Sequence, residues 1–205
     1  MSNELGNTIT PLNSDIAGMS MTDLERHIAV TSVPIRQAAA LMVRSLNLKK
    51  AVAWCGNGGS DAQAQHFTGE LVGRFSFDRP PFKSFALSSV GAVASSIAND
   101  YAWEVVLARQ VAGLLGPGDV LFGISTSGTS VNVQAAMTLA KQMGVITIAM
   151  IGNREPAIVK ALGDPDVVIP VVNMVATPEI QQEHLRIGHQ LCAIVESTIY
   201  GGQQE

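Results

Sequence analysis

Two short apolar runs, Ala51–Trp54 and Val120–Ile124, each lead into a turn rich in glycine and hydroxyl side chains, and each turn opens a helical stretch. An apolar run without polar alternation suits a strand buried on both faces. Such strands occur in parallel sheets covered by helices on both sides. Open sheets of this kind bind ligands outside the carboxyl ends of their strands, where both turns would lie. The first turn reads Cys55-Gly-Asn-Gly-Gly-Ser60 and the second Ser125-Thr-Ser-Gly-Thr-Ser130.

The rest of the chain repeats this alternation. Strands are expected at Lys50–Cys55, Ser84–Leu87, Val120–Ile124, Val145–Ile151 and Val167–Val171. Between them the patterns predict helices at Ser60–Arg74, capped by Ser60, at Gly91–Ile97, at Glu104–Leu115, from Val131 to about Met143, and at Pro156–Leu162. A last helix is opened by Pro178 and runs to about Tyr200. Upstream, Pro34 is placed to open a helix over Ile35–Leu46. The fold class is therefore α/β: a doubly wound, mainly parallel sheet flanked by helices, with N-terminal helices in front. Met1–Ser20 reads as a loose N-terminal arm and residues 21–205 as a single domain.

Composition narrows the function classes. The chain has 205 residues, 47% of them hydrophobic, enough for one sizeable core. A net charge of −4 without a basic stripe argues against nucleic acid as a partner. Two cysteines are too few for a disulfide framework and fit a reducing cytoplasm. No apolar stretch has the length of a membrane span, and the polar Met1–Asn13 segment does not resemble a secretory signal.

The two turns carry the chemistry. The second offers Ser125, Thr126, Ser127 and Ser130 beside the N–H groups of a helix start, a cradle for a phosphate. It lacks the Gly-Lys-Ser/Thr of a Walker loop, and the first turn has Asp61 where a dinucleotide loop has its third glycine. A small phosphorylated molecule fits better than a nucleotide. Behind the first turn, His66 and Glu70 stand four residues apart and share a helical face. On the last helix, Gln181 and His189 point the same way, with His184 near them. If the two helices meet, His66, Glu70, Gln181 and His189 form a nitrogen and oxygen set suited to zinc. The plain alternative for each histidine is a surface or hydrogen-bonded helical residue.

The ordered set of Cys55–Ser60, Gln65-His-Phe67, Glu70–Arg74, Ala98-Asn-Asp-Tyr101, Gly123–Gly128 and Ile180-Gln181 with His184 and His189 resembles the bacterial phosphoheptose isomerase family of the sugar isomerase (SIS) superfamily. The likeness runs from about residue 20 to 200. It implies conversion of D-sedoheptulose 7-phosphate to D-glycero-D-manno-heptose 7-phosphate, the first step of ADP-heptose biosynthesis for lipopolysaccharide. It also implies a homotetramer with its sites at subunit interfaces. By the same resemblance Glu70 is the general base and His189 the general acid. Ser125, Thr126, Ser127 and Ser130 hold the phosphate. Asn57, Gly58, Gly59, Ser60, Asp100 and Gln181 bind substrate. One zinc ion per subunit sits on His66, Glu70, Gln181 and His189. A metal on Glu70 lowers its basicity, so base and ligand are partly competing roles.

The chain departs from the family pattern at Gln63, where an Asp is common, and at Pro178, where an acidic residue is common. Rival readings are a non-catalytic SIS paralogue that binds the replication initiator DnaA, an isomerase of another sugar phosphate, and a sugar-phosphate-sensing module. The paralogue lacks the Glu and His that stand here at Glu70 and His189. The sensing module needs a basic segment that this chain does not have.

Overall fold

A computed structural model describes residues 21–87, 91–152 and 155–201, the side chains of residues 21–31 excepted. The expected arm Met1–Ser20 lies outside the described residues. In chain order the elements are α1 (Met21–Asn47), β1 (Val52–Cys55), α2 (Gly59–Val72), β2 (Ser84–Ala86), α3 (Gly91–Asp100), a 3-10 turn (Trp103–Val105), α4 (Val106–Leu114), β3 (Val120–Ser125), α5 (Val131–Gln142), β4 (Ile146–Ile151), α6 (Pro156–Ala161), β5 (Val167–Pro170) and α7 (Thr177–Tyr200).

All five strands pair in parallel, in the order β2-β1-β3-β4-β5. After β1 the chain moves to one side of the sheet, and after β2 it crosses to the other. The crevice between the carboxyl ends of β1 and β3 is therefore the topological switch point, where ligands of doubly wound folds bind. Both sequence-identified turns open onto it.

Side chains along each strand alternate between two cores, as the period of two requires. Val52, Trp54, Val120, Phe122, Ile124, Ile148 and Met150 face one core, shared with α1, α2 and α7. Ala53, Cys55, Leu121, Ala149 and Ile151 face the other, shared with α4 and α5. Trp54 anchors the first core: its ring stacks on Phe122 at 4.2 Å between centroids. Its indole N–H donates to Ser84 Oγ at 3.0 Å, which supplies the partner a buried Trp needs. Trp103 is half exposed.

Two helix starts differ from the expectation. Pro34 lies inside α1, which is one helix of 27 residues, not a break followed by a second helix. A mid-helix proline costs about 3 kcal/mol. The face formed by Ile35, Ala38, Ala39, Met42 and Leu46 is buried, and α1 packs against α7 and β5, so tertiary burial outweighs the local penalty. Ser60 does not cap α2. The helix begins one residue earlier, its cap position is Gly58 with φ +53°, and Ser60 is a buried residue of the first turn.

Helices α2 and α7 run side by side in the same direction, at very close range. A Cβ at residue 188 would lie 2.1 Å from two ring carbons of Phe67. Only glycine permits this approach. The expected result of Gly188→Ala is a loss of ~1–3 kcal/mol of stability from overpacking, read by urea unfolding. Adding Phe67→Leu should recover part of it.

Candidate active site

α2 presents His66 and Glu70 on one face, and α7 brings His189 to meet them. His66 Nε2 lies 3.2 Å from Glu70 Oε1 and 2.8 Å from His189 Nε2. The three ligand atoms fall within 4.8 Å of one another. An imidazole nitrogen carries at most one proton, so in either neutral tautomer of His66 one of these two contacts lacks a good hydrogen bond. Lone pairs converge, which is the electronic arrangement a cation relieves. Two imidazoles and a carboxylate are a donor set that zinc takes. His66 and Glu70 keep 43% and 22% of their side-chain surface exposed, so the cluster is open on one side.

The rings of Phe67 and Phe75 stand 6.4 Å and 5.6 Å from the His189 ring. This apolar backing desolvates His189 and pushes its pKa below the usual histidine value. The neighbouring His66 pushes it further down, and Glu70 opposes both. His189 is thus held toward its neutral form, able to offer a lone pair or to donate a neutral N–H.

Gln181 lies against the opening turn of α2. Its amide packs on the Cα of Gly59, where a Cβ would come within 2.4 Å of Nε2. Gln63 donates to the Gln181 carbonyl, so the residue that departs from the family pattern ties α2 to the first turn of α7. His184 does not join the cluster of His66, Glu70 and His189. It is fully buried, and neither ring nitrogen has a hydrogen-bond partner among the described residues. Burial pushes its pKa down to about 4.

The loop after β3 is a closed turn of hydroxyls. Ser125 Oγ accepts the Gly128 N–H at 3.0 Å and meets Ser130 Oγ at 3.2 Å. Ser127 Oγ accepts the Thr129 N–H at 3.2 Å and meets Thr129 Oγ1 at 2.9 Å. The Thr126 carbonyl accepts the Gly152 N–H at 3.1 Å, tying the loop to the end of β4. Ser130 immediately precedes α5, whose amino end favours negative charge by ~0.3–1 kcal/mol at exposed sites.

Asn132, which no sequence pattern singled out, joins the two loops. Its side-chain amide and that of Asn57 exchange two hydrogen bonds of 2.8 Å each. Asn132 Oδ1 also accepts the Val133 N–H at 3.0 Å. The partners are 75 residues apart, so only the fold reveals the pair. Asp100 ends α3, is exposed, and accepts from Asn99 Nδ2 at 2.9 Å. No hydrogen bond or ion pair among the described residues links it to the other site residues. Cys55 is buried with its thiol pushed up to about 12, consistent with packing and not with a nucleophile.

A hydroxyl-lined loop at a switch point, in one domain with an imidazole–carboxylate cluster, defines a class of phosphosugar-handling α/β domains. The SIS domain family model matches residues 20–152. Phosphoheptose isomerase of Akkermansia muciniphila is 38% identical over 90% of this chain and 95% of its own length. That of a Nitratiruptor species is 44% identical over 80% of this chain and 86% of its own. The structure of phosphoheptose isomerase from Neisseria gonorrhoeae superposes with a TM-score of 0.77 at 35% identity, covering 86% of this chain and 92% of the other. The chain belongs to the phosphoheptose isomerase family of SIS-domain proteins and is an isomerase. No helix of the described residues is long and apolar enough to cross a membrane.

His184 makes stability depend on pH. Its folded pKa is depressed below that of the unfolded chain, so the unfolded state binds the extra proton between the two values. Stability is full above about pH 6.5 and falls as pH drops toward 4. The loss attributable to this residue is ~3 kcal/mol. Denaturant unfolding from pH 7.5 to 4.5 measures it, and His184→Leu should flatten that part of the slope.

Proposed function

We propose that the chain converts D-sedoheptulose 7-phosphate to D-glycero-D-manno-heptose 7-phosphate in the cytoplasm, supplying ADP-heptose synthesis for lipopolysaccharide. The observation that carries this reading is the meeting of Glu70 and His189 in one domain with a hydroxyl-lined loop at a helix start, within a chain of the phosphoheptose isomerase family.

The chain's residues divide the work. The hydroxyls of Ser125, Thr126, Ser127 and Ser130, with the amino end of α5, hold the phosphate. Asn57, fixed by Asn132, and the first turn of α2 at Gly58, Gly59 and Ser60 contact sugar hydroxyls, with Gln181 alongside. Glu70 removes a proton from C1 of the ketose, and the C1–H electron pair becomes the C1–C2 double bond of a cis-enediol. His189 delivers a proton to O2 as its π electrons move there. Return of a proton to C2, with loss of the O1 proton, leaves the aldose. Apolar backing keeps His189 neutral, so it acts as a neutral N–H donor, an arrangement known in other isomerases.

His66, Glu70 and His189 would hold a zinc ion, with Gln181 as the fourth ligand after its amide turns from Gly59. Such an ion polarises a substrate carbonyl and stabilises negative charge on its oxygen. Within one chain the cluster is open on one side and Asp100 is separate from it. Both features agree with a homotetramer whose sites are completed across subunit interfaces.

Turnover of sedoheptulose 7-phosphate by the purified protein, with chelator and with added zinc, tests the reading. The expected outcome is aldose formation that chelator lowers and zinc restores. Glu70→Gln should reduce kcat by at least ~10²-fold while leaving the fold intact. Full activity of that variant removes Glu70 from the role of base.

A further inference from the structure

The geometry points to Arg79 and Glu196 as positioning residues for the isomerase: a buried ionic clamp that locks the end of α2 to α7 and so sets Glu70 against His189. This inference rests on the reading of Glu70 and His189 as the reacting pair. Each side chain of the clamp is 1% exposed. Buried charges are tolerated only when paired and hydrogen-bonded, and these are. Glu196 Oε1 accepts from Arg79 Nε at 3.1 Å and from the Phe75 N–H at 2.9 Å, while Oε2 accepts from the Ser76 N–H at 2.7 Å.

The guanidinium then reaches back to α2. Its Nη2 donates to the carbonyl of Glu70 at 2.8 Å. Its Nη1 donates to the carbonyls of Leu71 at 2.8 Å, Gly73 at 3.1 Å and Pro80 at 3.2 Å. The plane lies 4.2 Å over the Phe82 ring. The last carbonyls of a helix lack intrahelical partners, and α2 ends at Val72. Arg79 therefore caps α2 at the residue whose carboxylate faces His66. On α7, Glu196 follows His189 by seven residues, two turns, and so occupies the same face. One face of α7 presents both the imidazole and the anchor for Glu70's helix.

Stability alone does not account for such a pair, because well-packed apolar residues of similar volume often replace buried ion pairs at no cost. What the charges add is direction. A planar fork with five N–H donors fixes a peptide group in orientation as well as position. Small displacements of a catalytic group reduce rate steeply, about 10²-fold for 1 Å.

The test uses the full chain, with denaturant unfolding, kcat and KM measured for wild type, Arg79→Lys, Glu196→Gln and the double variant Arg79→Met/Glu196→Leu. The expected double variant is folded, with KM within about twofold of wild type and kcat lowered ~10–100-fold. Arg79→Lys, which keeps the charge and loses the fork, should not restore kcat. A folded double variant with wild-type kcat overturns the inference and leaves the pair a stabilising element only. If the double variant does not fold, the near-isosteric Glu196→Gln decides: lowered kcat at retained KM supports positioning, and unchanged kcat overturns it. Glu70→Gln assayed in parallel separates the two readings, since its full activity would remove the underlying role of Glu70 whatever the clamp variants do.

Discussion

The contact between α2 and α7 is the constraint on which the site depends. Phe67 sits where Gly188 has no side chain, and that single vacancy sets how near the helices approach. Around it the two helices are joined at successive levels: the Gln181 amide on Gly59, Gln63 on the Gln181 carbonyl, His66 on His189, and Arg79 with Glu196 beyond. Neither helix alone holds both the carboxylate and the second imidazole. They become neighbours because Phe67, three residues before Glu70, interlocks with Gly188, one residue before His189.

The sheet contributes a second kind of order. Parallel β1 and β3 end side by side at the switch point, so the loops that follow them face a common crevice. The reciprocal amides of Asn57 and Asn132 then lock one loop to the other. A rigid hydroxyl turn lies on one side and the opening turn of α2 on the other. On the proposed reading, phosphate recognition and proton transfer fall on different elements, so a change in one need not disturb the other.

The strands were legible because burial on both faces leaves an uninterrupted apolar run. His66, Glu70 and His189 were legible as helical spacings, although spacing could not show that their helices touch. What escaped the sequence is interaction over distance. Pro34 looks like a helix start because local rules cannot weigh the packing of α1 against α7. Ser60 looks like a cap because the backbone freedom of Gly58 is invisible in a residue pattern. His184 shares a helix with the site and yet turns into the core, where the apolar surroundings and not the residue type decide its charge. Asn132, Arg79 and Glu196 have no local signature at all, since each acts on a partner far away in the chain.

The topology also orders events in time. Every strand pairing is parallel and spans a crossover, so no hairpin can form early, and folds of high contact order fold slowly. β1 cannot pair with β3 until the chain has passed Ser125. The buried face of α1 waits longer still, because it packs on α7, more than a hundred residues downstream. On the ribosome, Ile35, Ala38, Met42 and Leu46 therefore emerge well before α7 can cover them, and until then the nascent chain carries a partly unsheltered apolar stripe.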